Sequence, residues 1–207
     1  MISQQLASAL GRKDEQPNID LAIAIVDKND HQAVAALIEL IHGKNKDYQN
    51  DSIKVLYEIG ERNPNLIAEY IPPFITGLSS KNNRLQWGSM AALRSLINSY
   101  EAELYAELEN LQDAANKGSV ITKDNFIGIL VGLMGNHDYH DKAFDYLIKQ
   151  METCPTNQLP MYAEMALSKI NQSTKDVFID TLNARLGEIE KESKMKRVLK
   201  VIQKLNK

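Results

Sequence analysis

The chain has 207 residues, of which 43% are hydrophobic and 25% are charged, with 10 glycines and 6 prolines. This balance is typical of a globular protein with a substantial core, and it excludes disordered, collagen-like and disulfide-rich classes. The 24 Lys and Arg residues against 27 Asp and Glu residues leave a net charge of −3, so the chain has no overall positive field to attract nucleic acid.

The sequence carries no signal for secretion or membrane insertion. Its single Cys154 cannot form an intramolecular disulfide, and the segment from Met1 to Leu6 has neither the basic nor the apolar region of a signal peptide. The longest nearly apolar stretch, from Phe126 to Gly135, has ten residues, about half of the length that crosses a bilayer. We therefore expect a cytoplasmic protein that makes no membrane contact.

Apolar residues recur at helical spacing along almost the whole chain, and sustained strand alternation is almost absent. Three stripes in chain order show this spacing: Leu37, Ile38, Leu40 and Ile41, then Ile53, Leu56, Tyr57 and Ile59, and further on Phe144, Leu147, Ile148 and Met151. Each stripe turns one apolar face of a helix inward. The sequence therefore predicts an all-α fold.

A repeat of 37 residues connects the predicted helices. Leu56 and Ile59 are matched at this spacing by three further aliphatic pairs: Leu93 and Leu96, Leu130 and Leu133, and Leu167 and Ile170. The interval leaves room for a turn, another helix of about 12 to 16 residues and a second turn. One such helix pair cannot bury both of its apolar faces, so neighbouring pairs must stack into a continuous core. The spacing predicts a solenoid.

This repeat resembles the HEAT and armadillo class of α-helical repeats. The resemblance rests on the period, on the small residues of Ser89–Ala92 within a second helix, and on the helix ending Ile59–Gly60. The segment Asn63–Ile67, which opens a first helix with Pro72–Pro73 partway along it, is similar to the bent first helix of HEAT units. Arg84 is the nearest counterpart of the second-helix arginine of this class, and whether an Asp/Arg ladder joins the turns is left open.

The resemblance covers residues 31–171 and implies a right-handed α-α superhelix, a HEAT-like solenoid of about five to six helix pairs. Residues 1–30 and 172–207 match it less well, and we expect them to form atypical capping repeats that shield the terminal apolar faces. No linker composition interrupts the chain, so we expect a single HEAT-like domain over residues 1–207.

Residues with catalytic or metal-binding chemistry are few. The segment Asn136–Asp141 holds two His and two Asp, but it falls at a predicted turn where Asn and Asp serve as caps, so we interpret it as solvated. Cys154 is followed by Pro155 and has no base nearby in the sequence. Nucleophile elbows, phosphate-binding loops and metalloprotease motifs are missing. We expect no catalytic residue, no metal and no cofactor.

Three residues on second helices are the candidates for partner binding. Along residues 84–98 the helical period predicts one buried face, formed by Leu85, Ser89, Ala92, Leu93 and Leu96, and it leaves Trp87, Met90 and Arg94 on or near another face. Because one period of 37 relates Arg94 to Tyr57, we predict that Tyr57, Trp87 and Arg94 lie along one groove. Trp, Tyr and Arg concentrate binding energy at interfaces. The alternative is that Tyr57 and Trp87 pack between repeats.

Charge is also uneven along the chain. Residues 188–207 carry seven bases and three acids. This terminal helix is either a contact for an acidic partner or a solvated face.

These features favour a non-enzymatic protein- or peptide-binding scaffold that uses the concave face of a helical solenoid. The alternative is an enzyme on HEAT-like repeats, such as an alkylpurine DNA glycosylase or a bilin lyase. Trp87 and Arg94 would suit a DNA cleft, but the net charge is negative and no residue matches the acidic catalytic residue of the glycosylases. A continuous Lys/Arg lining of the groove would favour the glycosylase.

Overall fold

A computed structural model describes all residues, 1–207, and contains twelve α-helices and no β-strand. The helices are α1 (Gln16–Lys28), α2 (His31–His42), α3 (Lys46–Arg62), α4 (Ile71–Gly77), α5 (Asn83–Ser95), α6 (Glu101–Ala106), α7 (Leu108–Lys117), α8 (Val120–Leu133), α9 (His137–Thr153), α10 (Leu159–Ala166), α11 (Lys175–Leu186) and α12 (Glu192–Leu205). The all-α prediction is confirmed. None of these helices has the length and apolar character needed to cross a membrane.

The chain divides into two compact units, residues 1–126 and residues 127–207. In the first unit α3 packs against both α1 and α5, so that these three helices lie side by side, while α2 packs on α3 and α4 packs on α5. In the second unit α12 packs against α10 and α11, and α11 also contacts α9. Within each unit, helices close in the sequence therefore pack on one another, as stacked helix pairs require. The expectation of a single domain over residues 1–207 stays a prediction.

The positions related by the 37-residue repeat are buried in most of the second helices. The aliphatic pairs of its first three copies are fully buried: Leu56 and Ile59, Leu93 and Leu96, and Leu130 and Leu133. The fourth pair, Leu167 and Ile170, is only half-buried and lies in and after a 3-10 segment that follows α10. The repeat is regular for three copies, and the fourth departs from it.

The N-terminal caps of α3, α5 and α8 recur at the same spacing. The side-chain oxygens of Asn45, Asn82 and Ser119 accept hydrogen bonds, at 3.0 to 3.4 Å, from backbone N–H groups two or three residues further on. The first N–H groups of a helix have no partner within the helix, and a short polar side chain satisfies them best. These caps start the three second helices at equivalent positions of the repeat.

The segment 63–77 differs from the bent helix that the resemblance implied. It is divided into two 3-10 segments, Pro64–Leu66 and Ala68–Tyr70, followed by α4, which carries Pro72 and Pro73 in its first turn. Proline has no N–H to donate, so it is tolerated in a first turn and interrupts a helix elsewhere. The prolines therefore produce separate short pieces where the resemblance implied one continuous helix.

Gly60 does not end a helix, because α3 continues to Arg62. A Cβ atom at Gly60 would lie 2.1 Å from Oγ of Ser95 and 2.6 Å from Cδ1 of Ile67. The glycine lets the end of α5 approach α3 closely. The Ile59–Gly60 pair thus marks a close helix contact.

Candidate functional site

The predicted inner face of residues 84–98 is confirmed in the structure, since all five of its residues are buried: Leu85, Ser89, Ala92, Leu93 and Leu96. The placement of Met90 on or near another face is wrong, because Met90 is fully buried. Its helix α5 packs against both α3 and α4, so its buried surface is wider than one stripe. Trp87 is half-buried, and Arg94 is exposed.

Tyr57 of α3 and Trp87 of α5 contact each other across the two neighbouring helices. Their ring centroids are 5.9 Å apart and the ring planes are inclined by 45°, within the range of favourable aromatic pairs. Both side chains are half-buried, so each ring keeps accessible surface. The structure thus joins two of the three predicted binding residues.

Arg94 lies about two helical turns beyond Trp87 on α5. Its side chain is exposed, and its Nη1 donates a hydrogen bond of 3.3 Å to Oδ1 of Asn125 on α8. The hydrogen bond that the structure gives Arg94 is therefore with α8, separate from the contact between the two rings.

Each ring of the pair carries a cation from its own helix. Nζ of Lys54 lies 4.7 Å from the centroid of Tyr57, and Cζ of Arg84 lies 5.3 Å from the centroid of Trp87. Both distances are within the range of cation–π attraction. Each cation precedes its ring by three residues, a spacing that brings side chains together on a helix. The sequence therefore contained a signal for these contacts.

Two carboxylates share the Lys54 cation, and each also binds one arginine. Glu15, the N-cap residue of α1, pairs with Nη2 of Arg84 through Oε1 and lies 3.2 Å from Nζ of Lys54 through Oε2. Glu58 lies 2.5 Å from Nζ of Lys54 and 2.5 Å from Nη1 of Arg62. We call this set of seven residues the charged aromatic cluster: Glu15, Lys54, Tyr57, Glu58, Arg62, Arg84 and Trp87.

The cluster has a buried pair, Lys54 and Glu58, and an accessible edge, formed by Glu15 and Arg84. The side chains of Lys54 and Glu58 are 8% and 12% exposed, whereas those of Glu15 and Arg84 are 42% and 31% exposed. Removing the charge of Lys54 or of Glu58 would leave the other with one ion-pair partner instead of two at a nearly buried position, which is costly. The buried pair therefore holds the Tyr57 ring, whereas the Trp87 ring lies beside Arg84 at the accessible edge.

The charges of the cluster stabilise one another. Burial alone would raise the pKa of the Glu58 carboxyl, but hydrogen bonds from Lys54 and Arg62 outweigh it and hold this pKa below its ordinary value. The pKa of Glu15 is lowered in the same way, against burial, by Arg84 and Lys54. Burial lowers the pKa of the Lys54 ammonium, but the interactions with Glu58, Tyr57 and Glu15 together more than compensate, and the pKa is raised. The cluster is therefore a set of paired charges at neutral pH.

The segment Asn136–Asp141 begins helix α9 and is not the turn that we expected, whereas His137, Asp138 and Asp141 are exposed as predicted. Asn136 caps α9, so the residues after it are helical. His140 is buried, its ring stacks on Phe144 with centroids 6.4 Å apart, and its Nε2 lies 2.9 Å from the carbonyl oxygen of Lys169. His140 therefore belongs to the core of the second unit. No group of three or more His, Cys, Asp or Glu side chains in the chain is placed to hold a metal ion.

The basic terminal segment forms α12, whose apolar side contributes Val198 and Val201 to the core. On its polar side Arg197 binds the carboxylate of Glu164, with its Nε 2.8 Å from Oε1. Nζ of Lys194 lies 2.6 Å from Oδ1 of Asn157. Two basic side chains of α12, those of Lys194 and Arg197, are therefore bonded to residues of the second unit.

Comparison with known proteins identifies the fold. No protein-family model matches the chain, and no curated protein matches it. A computationally designed armadillo repeat protein for modular peptide recognition has a TM-score of 0.68 at 15% identity, covering 99% of this chain and 98% of that chain. Another designed armadillo repeat protein has a TM-score of 0.67 at 14% identity, with the same coverage of both chains. An engineered protein from the Northeast Structural Genomics Consortium has a TM-score of 0.61 at 16% identity, covering 98% of each chain. The chain therefore has the helical-repeat solenoid fold of the HEAT and armadillo class.

Proposed function

We propose that this protein is a non-enzymatic protein- or peptide-binding scaffold that uses the concave face of its helical solenoid, with Tyr57, Trp87 and Arg94 as binding residues. The observation that carries the proposal is the contact between Tyr57 and Trp87. Two large rings lie side by side on neighbouring second helices, and both keep accessible surface.

The chemistry of this surface suits a peptide. Aromatic rings offer apolar contact at a low cost in conformational entropy, and Arg84 and Arg94 supply hydrogen-bond donors for backbone or side-chain acceptors. Because Lys54, itself paired with Glu58, holds the Tyr57 ring, and Trp87 packs against Tyr57, little order is lost when a ligand binds. The similarity to an armadillo repeat protein designed for peptide recognition supports a peptide as the ligand.

The charges around the rings favour this proposal over a DNA glycosylase. Lys54, Arg62 and Arg84 are each paired with Glu15 or Glu58. A cleft that neutralises several phosphates needs a lining of unpaired Lys and Arg. We therefore place DNA among the disfavoured partners.

The test uses the fact that Trp87 is the one Trp in the chain, so its fluorescence reports directly on the site. Peptides are selected from a random displayed library on the wild-type protein and titrated against it. We expect bound peptides to shift the Trp87 emission. The Trp87 variants contain no Trp, so their affinities and that of the wild type are compared by isothermal titration calorimetry. Trp87→Ala should lower the affinity for the peptides by at least about tenfold, because truncating a central aromatic anchor costs about 2 kcal/mol or more. Trp87→Phe should keep most of the affinity.

Val177→Ala, at an exposed position in the second unit, is the control and should bind like the wild type. Circular dichroism is recorded on every variant. Peptides that bind Trp87→Ala as tightly as the wild type would contradict the proposal, as would loss of the folded state in that variant. Salt-dependent binding of duplex DNA to the wild type would favour the alternative function.

We also propose a cytoplasmic location. The single Cys154 is buried at the end of α9, where its Sγ lies 3.6 Å from the carbonyl oxygen of Met151. A structural thiol of this kind suits a reducing compartment. Fractionation of cells that produce the protein would test the location.

A further inference from the structure

The geometry points to a specific class of ligand, namely a peptide segment that presents a carboxylate one or two residues away from a bulky apolar side chain. In this inference Glu15 occupies the carboxylate site while no ligand is bound. The inference rests on the proposed function and adds to it the chemistry of the partner.

Glu15 is the member of the charged aromatic cluster that can leave it. Its side chain is 42% exposed, and although it is the N-cap residue of α1, its carboxylate caps no backbone N–H. Its two ion pairs, with Arg84 and Lys54, therefore account for its position. Glu58, in contrast, is held by two cations of its own helix and is 12% exposed.

Arg84 is the cation that Glu15 leaves incompletely satisfied. The structure gives its guanidinium one acidic partner, Glu15, which contacts it through Nη2. Its Nε is buried without a hydrogen-bond partner. A planar guanidinium binds a carboxylate best through two parallel N–H bonds. A ligand carboxylate that contacts both Nε and Nη2 would make the bond that Glu15 does not make.

The rings define what must stand next to that carboxylate. Cζ of Arg84 lies 5.3 Å from the centroid of Trp87, which in turn lies 5.9 Å from the centroid of Tyr57. Successive residues of an extended peptide rise about 3.3 Å, so a side chain one or two positions from the carboxylate falls over these rings. Burying a bulky apolar side chain there contributes favourably to binding.

The charges around the proposed site do not oppose an acidic ligand, and those within the cluster favour it. The cavity beside Glu15 and Arg84 is also lined by Arg12, Lys13, Asp14, Asp47 and Asp51, so its lining without Glu15 holds three basic and three acidic residues. The cluster contains three cations and two acids, and displacement of Glu15 leaves three cations with Glu58 alone. A basic ligand side chain over Trp87 would lie close to the guanidinium of Arg84 and would be repelled by it, because like charges repel at short range.

The experiment uses three blocked nine-residue peptides with Leu at alternate positions and Glu, Gln or Lys at all others. Each peptide is titrated against the full-length protein by Trp87 fluorescence. We expect the Glu peptide to bind about tenfold more tightly than the Gln peptide, as for a charge-assisted bidentate pair, and the Lys peptide to bind more weakly than both. Arg84→Gln should remove the preference for Glu over Gln.

The decisive variant is Glu15→Gln, which weakens the internal competitor. We expect it to tighten binding of the Glu peptide by about threefold or more and to leave binding of the Gln peptide nearly unchanged. A purely structural role of Glu15 predicts a lower melting temperature with no gain in affinity. Glu164→Gln is the matched control, because Glu164 also binds an arginine, Arg197, at the surface of the second unit.

Equal or tighter binding of the Gln or Lys peptide overturns the inference, and so does an unchanged or weaker affinity of Glu15→Gln for the Glu peptide. If none of the three peptides binds the wild type, the inference is likewise overturned. The proposed function is judged separately by the library peptides. Library peptides that lack acidic residues but require Trp87 for binding would support the proposed function and contradict this inference.

Discussion

Glu58 shows how a single side chain organises the candidate site. It binds Lys54 one turn before it and Arg62 one turn after it on α3, with N–O distances of 2.5 Å in both pairs. Pairs at this spacing support a helix, and exposed ones contribute only a few tenths of a kcal/mol. Here Lys54 and Glu58 are nearly buried, and removing the Glu58 carboxylate would leave Lys54 with Glu15 as its one acidic partner, which is costly at a nearly buried position. Glu58 therefore stabilises both the helix and the position of the Tyr57 ring above Lys54.

We predict that Glu58→Gln lowers the free energy of unfolding near neutral pH by about 1 to 3 kcal/mol. Since the pKa of Glu58 is lower in the folded state than its ordinary value of 4.5, its stabilisation is complete above that value and is lost as the pH falls through the folded-state pKa. The difference between wild type and variant should therefore close in acid. Urea unfolding at a series of pH values measures it.

Glu188→Gln is the control for Glu58→Gln, because Glu188 also pairs with an arginine, Arg185, but is itself exposed. Its removal should change the free energy of unfolding by less than about 1 kcal/mol at any pH. A Glu58→Gln deficit that persists unchanged into acid would contradict the assignment of the stabilisation to this carboxylate.

Helix α3 illustrates what the elements contribute, since it packs against α1, α2 and α5. Its contact with α5 requires small residues at particular points. A Cβ atom at Gly88 of α5 would lie 2.6 Å from Cγ1 and 3.0 Å from Cγ2 of Ile53, which is fully buried. A β-branched side chain has few alternative rotamers, so Ile53 cannot move away easily. The short distance between α3 and α5 is what allows Tyr57 and Trp87 to meet.

Gly88→Ala should therefore destabilise the protein by about 1 to 3 kcal/mol through overpacking, even though alanine favours a helix over glycine by about 1 kcal/mol. Gly187→Ala is the matched control, because a Cβ atom there meets nothing within 4 Å and the backbone φ is −66°. It should leave the protein as stable as the wild type or raise its stability by about 0.4 to 1 kcal/mol. Urea unfolding of both variants checks the contrast, and a Gly88→Ala protein as stable as the Gly187→Ala protein would contradict it.

At the scale of the whole molecule, helical repeats bury their apolar faces against neighbouring repeats, so cooperativity depends on the contacts between them. We propose that residues 1–207 act as a single HEAT-like domain. A single domain unfolds in one transition, with equal calorimetric and van't Hoff enthalpies.

Leu56→Ala provides the test of this proposal, because Leu56 is fully buried in the first unit. Its truncation should cost about 2 to 5 kcal/mol. Differential scanning calorimetry should show one transition in the wild type, and the whole of it should move to lower temperature in the variant. Two resolved transitions, with only one of them displaced, would contradict the single domain.

The all-α fold, the 37-residue period and the buried face of residues 84–98 were determined by the sequence alone, because helical spacing is a local property of the chain. The sequence also indicates the pairing of Lys54 with Glu58, because the two residues are four positions apart in a helix. The contact of Trp87 with Tyr57, the burial of Met90 and the approach of Glu15 to an arginine 69 residues away were decided by tertiary structure. These contacts depend on how closely and at what rotation one helix packs on another, and that is set by all of the side chains between them.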